Sequence, residues 1–217
     1  MASYLRKLFR RSCEGGNLKV CQELIKQGED INCRDHRGMT ALMIAAENGH
    51  VQIVQLLVKE GANLDFTSEQ MRSGYSALMI AVVEGHQEIV KLLIDAGADL
   101  NLTDIVGRTA SMLAVKTGQT ERLRMLMEAG AEIRGSRNPL FIAARGGHKE
   151  ITQMLINAGA DITAKTRLGD TPLTIALSTN MFRVAQTLVG HGAGDEIKED
   201  FGRKVLDVIV NHLARKP

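Results

Sequence analysis

A compound motif returns at nearly even intervals along this chain, and that self-similarity restricts the fold more than any single residue does. The stretches Gly61-Ala62-Asn63, Gly97-Ala98-Asp99, Gly130-Ala131-Glu132, Gly159-Ala160-Asp161 and Gly192-Ala193-Gly194 have first glycines 36, 33, 29 and 33 residues apart. Ahead of each lies an apolar pattern of helical period, such as Ile53-Val54-Gln55-Leu56-Leu57 or Ile89-Val90-Lys91-Leu92-Leu93. Ahead of that come Gly49-His50, Gly85-His86, Gly118-Gln119 and Gly147-His148. Further upstream sit Thr40-Ala41-Leu42, Ser76-Ala77-Leu78, Thr109-Ala110-Ser111, Asn138-Pro139-Leu140 and Thr171-Pro172-Leu173. One unit therefore reads as turn, short helix, tight turn, second helix and glycine stop. Each unit is amphipathic and too small to bury its apolar face alone, so it must stack on its neighbours.

Local residue choices agree with that reading. Thr171 before Pro172 places an N-cap ahead of a proline at the first helical position, where the missing N–H costs nothing. The small pairs Ala45-Ala46 and Ala143-Ala144 let two helices approach closely. Gly61, Gly97, Gly130, Gly159 and Gly192 stand where a left-handed residue stops a helix.

This pattern resembles the ankyrin-repeat family, from about Leu5 to about Leu213. The resemblance implies an all-α solenoid of stacked helix-turn-helix units with projecting β-hairpin or turn fingers, about six repeats plus a C-terminal cap. We expect an N-terminal capping repeat over 1–34, five internal repeats over 35–194 and a capping helix region over 195–217, in one continuous domain. Departures from the family pattern carry the chain's individuality. Met43, Met79, Met112, Phe141 and Thr174 occupy the slot after the leucine position, where the family favours His; core filling is the expected role of the methionines. The repeat starting near Asp104 fits least: Ser111 replaces the Leu, Gln119 the His and Arg122 an apolar helix position, and weaker local coupling is expected there. Three extra residues fall within Phe66 to Ser73, and four are missing before Asn138, so the finger from Ala131 is short.

Composition narrows the function. With 44% apolar and 24% charged residues the chain is no disordered tail. Aromatics are 3% with no Trp, which argues against single-strand nucleic-acid binding by base stacking. The longest apolar stretch, Ala77 to Val83, is far short of the roughly 20 residues that span a bilayer. No apolar signal-peptide core follows Met1. Cys13, Cys21 and Cys33 are odd in number and lack CxxC spacing, so a reduced chain in the cytoplasm, or the nucleus, is expected. Cys13 and Cys21 should pack in or between the first two helices. Arg6, Lys7, Arg10 and Arg11 with Leu5, Leu8, Phe9 and Cys13 could mark a transit peptide or membrane-surface helix. Yet Phe9 to Gly16 keeps the register of later first helices, which favours a structural role.

No catalytic motif survives inspection: there is no GxSxG, HExxH, GxxxxGK[ST] or strand-following GxGxxG. The family uses the imidazole at His50, His86 and His148 to hydrogen-bond nearby loop backbone. Spaced by a repeat, roughly 10 Å, these rings are too far apart to share a zinc ion bound at about 2.0–2.1 Å. Asp35 and Asp104 open the finger turns, where Asp bonds local backbone. We therefore expect no enzyme activity, cofactor or metal.

The resemblance implies docking on the finger tips and the exposed side of the first helices, a concave strip of about thirty residues. Ten of the 27 basic residues fall there: Arg34, Arg37, Arg72, Arg108, Lys116, Arg134, Arg137, Arg145, Lys165 and Arg167. The acids there are Glu47, Glu84 and Asp170, with the turn-opening Asp35 and Asp104. The net charge of +2 would thus conceal a two-faced molecule. The expected partner site is Arg37, Arg72, Arg108, Lys116, Arg137, Arg145 and Arg167 around apolar anchors drawn from Met39, Tyr75, Val83, Ile105, Val106 and Leu168. Its centre is expected between Arg72 and Arg145. This reading makes the chain a monomeric, non-catalytic protein–protein interaction scaffold for an acidic protein surface or peptide. Nucleic acid or a polyphosphate on the basic stripe, and a regulatory or effector subunit aimed at an enzyme, are the alternatives. Finger-tip arginines that only maintain solubility are the bland one.

Overall fold

The computed structural model describes residues 2–69, 74–133 and 138–194. Among them are twelve α-helices, arranged as six consecutive pairs. The pairs are α1 (Ala2–Glu14) with α2 (Leu18–Lys26), α3 (Ala41–Glu47) with α4 (Val51–Lys59), α5 (Ala77–Glu84) with α6 (Gln87–Asp95), α7 (Ala110–Thr117) with α8 (Thr120–Glu128), α9 (Pro139–Gly146) with α10 (Lys149–Asn157), and α11 (Pro172–Ser178) with α12 (Phe182–Gly190). The described residues form an all-α fold of repeated helix pairs. It divides into two compact units, one reaching Ala114 and including Glu121–Ile133, the other holding Val115–Thr120 and the residues from 138 onward. The division runs through the α7–α8 repeat, the least regular in sequence.

In the first unit, α1 packs on α3 and α3 on α5, while α2 packs on α4 and α4 on α6. First helices thus form one layer and second helices another. The first helix α3 has α1 and α5 on its two sides and α4 beneath it, which is why Ala41 through Ala46 are all buried. A second helix buries a single stripe, such as Ile53, Val54 and Leu57 in α4. Met43, Met79 and Met112 are each 1% exposed, so the slot is core where methionine fills it, while Phe141 is half-buried and Thr174 exposed. Ala45 and Ala46 are fully buried, as close helix approach requires. Thr40, Ser76 and Thr109 cap α3, α5 and α7, each side-chain oxygen accepting from the N–H of Met43, Met79 or Met112 at 3.3 Å.

Repeats interlock through the histidines. His50 Nε2 donates to the Glu14 carbonyl at 2.8 Å, and His86 Nε2 to the Glu47 carbonyl at 3.2 Å. The preceding glycine makes room: a Cβ at Gly49 (φ +74°) would stand 2.7 Å from His86 Cε1. Gly49 is therefore required both for its left-handed backbone and for the imidazole of the next repeat. Loop ends add a ladder in which the N–H groups of Asn63, Asp99 and Glu132 donate to the side chains of Asn32, Asp65 and Asn101 at 2.8–2.9 Å. Among the described residues the fingers are turns rather than strands, with one isolated bridge, Arg34 to Thr40.

In the second unit α9 packs on α10 and α11, and α12 on α10 and α11. Its core includes Leu140, Ile151, Leu155, Leu173, Val184 and Leu188. Thr171 and Thr174 form a reciprocal cap at the start of α11, with Pro172 in its first turn. His148 Nε2 donates to the Lys116 carbonyl at 3.4 Å, repeating the interlock of the first unit. The expected capping region over 195–217 lies outside the described residues.

Candidate functional site

The candidate site is built on finger turns. Asp35 opens the first: its Oδ1 accepts from the N–H groups of Arg37 (2.8 Å) and Met39 (2.9 Å), and its Oδ2 from Arg37 Nε at 3.0 Å. Asp104 opens another in the same way, taking Val106 N–H (2.9 Å), Arg108 N–H (2.8 Å) and Arg108 Nε (2.7 Å). Burial pushes both carboxyls up, but the backbone N–H of Met39 or Arg108 and the guanidinium outweigh it and hold both below the usual carboxylate range. The Arg108 side chain is 22% exposed over a fully buried Asp104, and its Nη2 also donates to the Tyr75 hydroxyl at 3.3 Å.

These bonds change the meaning of the basic stripe. Arg37 and Arg108 neutralise the carboxylate that shapes their own turn, so their charge is largely committed. Arg34 is engaged as well, donating to Glu69 Oε1 at 2.9 Å and lying 4.4 Å above the Phe66 ring. Glu69 belongs to the inserted segment, which has no repeat register, so sequence reasoning missed this acid.

Met39, expected as an exposed anchor, is 2% exposed. The reason is the turn stem. Asp35 N–H donates to the Met39 carbonyl while Asp35 Oδ1 takes the Met39 N–H, and the side chain between them enters the core. Met39 is thus not offered to a partner. Val83 and Tyr75 are half-buried. Ile105 and Val106, at the turn tip, are 76% and 48% exposed. Gly74 (φ +85°) lets the neighbouring finger approach that tip, because a Cβ there would stand 2.8 Å from the Ile105 nitrogen.

In the second unit a hydroxyl replaces the carboxylate. Thr166 Oγ1 accepts from the N–H groups of Leu168 (3.2 Å) and Asp170 (3.1 Å), and Thr166 N–H donates to the Asp170 carbonyl at 2.8 Å. Arg167 is exposed and Leu168 is 90% exposed. Lys116 and Arg145 are also exposed in this unit. Arg72, Arg134 and Arg137 lie outside the described residues.

With this geometry in place, a family model described as ankyrin repeats, in three copies, matches residues 9–104 and 111–200. The chain belongs to the ankyrin-repeat family. It is 47% identical over 64 residues to an ankyrin repeat and KH domain-containing protein of Caenorhabditis briggsae, an alignment covering 29% of this chain and 2% of that protein. It is 40% identical over 55 residues to the ankyrin repeat domain-containing protein 29 of Danio rerio, covering 25% of this chain and 18% of that one. An ankyrin repeat protein of Rickettsia felis is 38% identical over 52 residues, 24% of this chain and 82% of its own length. The chain thus spans only a small part of the first two relatives. Ankyrin repeats are generally protein–protein interaction modules and generally non-catalytic. Among the described residues of this ankyrin-repeat chain, no group of three or more His, Cys, Asp or Glu could hold a metal ion. No described helix is long and apolar enough to cross a membrane.

Proposed function

We propose that this ankyrin-repeat chain binds a protein partner through its finger tips, with Ile105 and Val106 as apolar anchors in the first unit and Leu168 in the second. The observation that carries the reading is where exposed apolar surface lies. Tyr4, Ile105, Val106 and Leu168 are the large hydrophobic side chains exposed among the described residues, and three of the four stand on finger turns. A turn tip needs no Ile or Leu for folding, and apolar groups placed there suit burial in a partner's pocket. Exposed Lys116, Arg145 and Arg167 add positive charge to the second unit, which favours an acidic surface or peptide there. Such rim pairs contribute about 0.2–1 kcal/mol each, so the anchors carry most of the affinity. The scarcity of aromatic rings tells against nucleic acid.

The test is quantitative affinity capture with the wild-type chain and an Ile105→Asp, Leu168→Asp double variant, both shown to be folded by circular dichroism. A protein retained by the wild type and reduced at least tenfold by the variant supports the proposal. Equal retention by both, or capture of RNA with a steep salt dependence, contradicts it.

A further inference from the structure

Cys13 ends the buried stripe of α1, Cys21 faces it from α2, and their sulfurs lie 3.4 Å apart with both residues fully buried. The tight turn between the helices fixes this approach: Asn17 N–H donates to the Ser12 carbonyl at 2.8 Å, and the Asn17 side chain caps α2. All three cysteines are free thiols. A disulfide needs about 2.0 Å between sulfurs, so closing the bond asks for a shift of roughly 1.4 Å from the observed contact.

We propose that Cys13 and Cys21 form a dithiol modification site that a peroxide converts to an internal disulfide joining α1 to α2. The steps balance. The sulfur of one cysteine attacks a peroxide oxygen, the O–O bond breaks, and a sulfenic acid and one water result. The second sulfur then displaces the hydroxyl from the first, the S–S bond forms, and a second water leaves. Peroxide takes up the two electrons lost by the sulfurs, and the two thiol protons end in the two waters. The two sulfurs share a hydrogen bond in which either can donate, and that contact together with burial pushes the Cys13 thiol up. Either sulfur can react first, and the other, in contact with it, resolves the sulfenic acid. Reagent reaches the buried pair through local opening of the helix pair, so the reaction is slower than that of an exposed thiol. Once formed, the bond ties together the two helices on which α3 and α4 stack.

The experiment uses the full chain treated with hydrogen peroxide, quenched, unfolded in denaturant and alkylated. Reactive thiols should fall from three to one, and the intact mass before alkylation should drop by two hydrogens. After tryptic digestion the peptides Ser12–Lys19 and Val20–Lys26 should be cross-linked, and dithiothreitol should release them. The Cys33→Ser variant should form the same cross-link. Three thiols persisting under peroxide, a cross-link that includes the Cys33 peptide, or oxidation to sulfinic and sulfonic acids without a cross-link overturns the proposal.

Discussion

The turns at 104–108 and 166–170 fold by the same device and leave opposite surfaces. In each, one side-chain oxygen accepts the N–H groups two and four residues ahead, from Val106 and Arg108 to Asp104 and from Leu168 and Asp170 to Thr166. A carboxylate in that place is charged and buried, so it needs a cation, and it draws in Arg108. A hydroxyl needs none, and Arg167 stays in solvent beside Leu168. An arginine two or four residues after an Asp opener is part of the fold, whereas Arg167, one residue after Thr166, is part of the surface. Counting basic residues by repeat position overstates the free charge wherever an Asp opens the turn.

The comparison breaks most readily at Asp104. Asp104→Ala strands two N–H groups and a guanidinium, and should lower stability by about 2–4 kcal/mol in urea unfolding, against about 0.5–1 kcal/mol for Thr166→Ala. Equal costs would mean that the two openers are equivalent after all. Acid titration tests the same contrast with a smaller effect. Asp35 and Asp104 are held below their ordinary value, so they bind fewer protons in the folded state than in the unfolded one. Their contribution is complete well above about pH 4 and is lost as pH falls through the folded values below that. The melting temperature of the wild type should fall on this limb more than that of an Asp35→Asn, Asp104→Asn double variant. Parallel curves would deny the carboxylates their role.

Two smaller effects sharpen the account. Ser111 stands at the position held by Leu78 in α5, and its buried hydroxyl has no hydrogen-bond partner among the described residues. Ser111→Ala should raise stability by about 1 kcal/mol by removing an unmet polar group; a loss would show that the hydroxyl is used. Grafting the first turn onto the last, as Thr166→Asp with Leu168→Arg, should gain less than about 1 kcal/mol and remove the apolar tip. An unchanged affinity for the partner in that variant would contradict the role of Leu168.

Helix pairs, caps, glycine stops and the histidine interlock were legible in the sequence because each is encoded locally and then repeated. Thr171 with Pro172, and Gly49 with His50, state their roles within a few residues. The direction of Met39 was not legible, since one residue of register in a turn stem decides whether a side chain enters the core. The Arg34–Glu69 pair joins residues 35 positions apart, across an insertion that follows no repeat. The departures Ser111, Gln119 and Arg122 were visible as departures. What the array does about one of them was not: an Arg122 Nη2 hydrogen bond to the Gly85 carbonyl ties α8 to the loop of the preceding repeat. Packing of Cys13 against the second helix followed from pattern, whereas contact between two sulfurs depends on rotamers that no periodicity records.

The most direct test sets the two kinds of arginine against each other. Partner affinity and unfolding midpoint would be measured for Arg145→Glu, Arg167→Glu and for Arg37→Glu, Arg108→Glu. The account predicts about a tenfold loss of affinity at unchanged stability for the first pair, and reduced stability with a smaller loss of affinity for the second. A folded Arg37→Glu, Arg108→Glu chain that no longer binds, beside an Arg145→Glu, Arg167→Glu chain that binds as the wild type does, would contradict it.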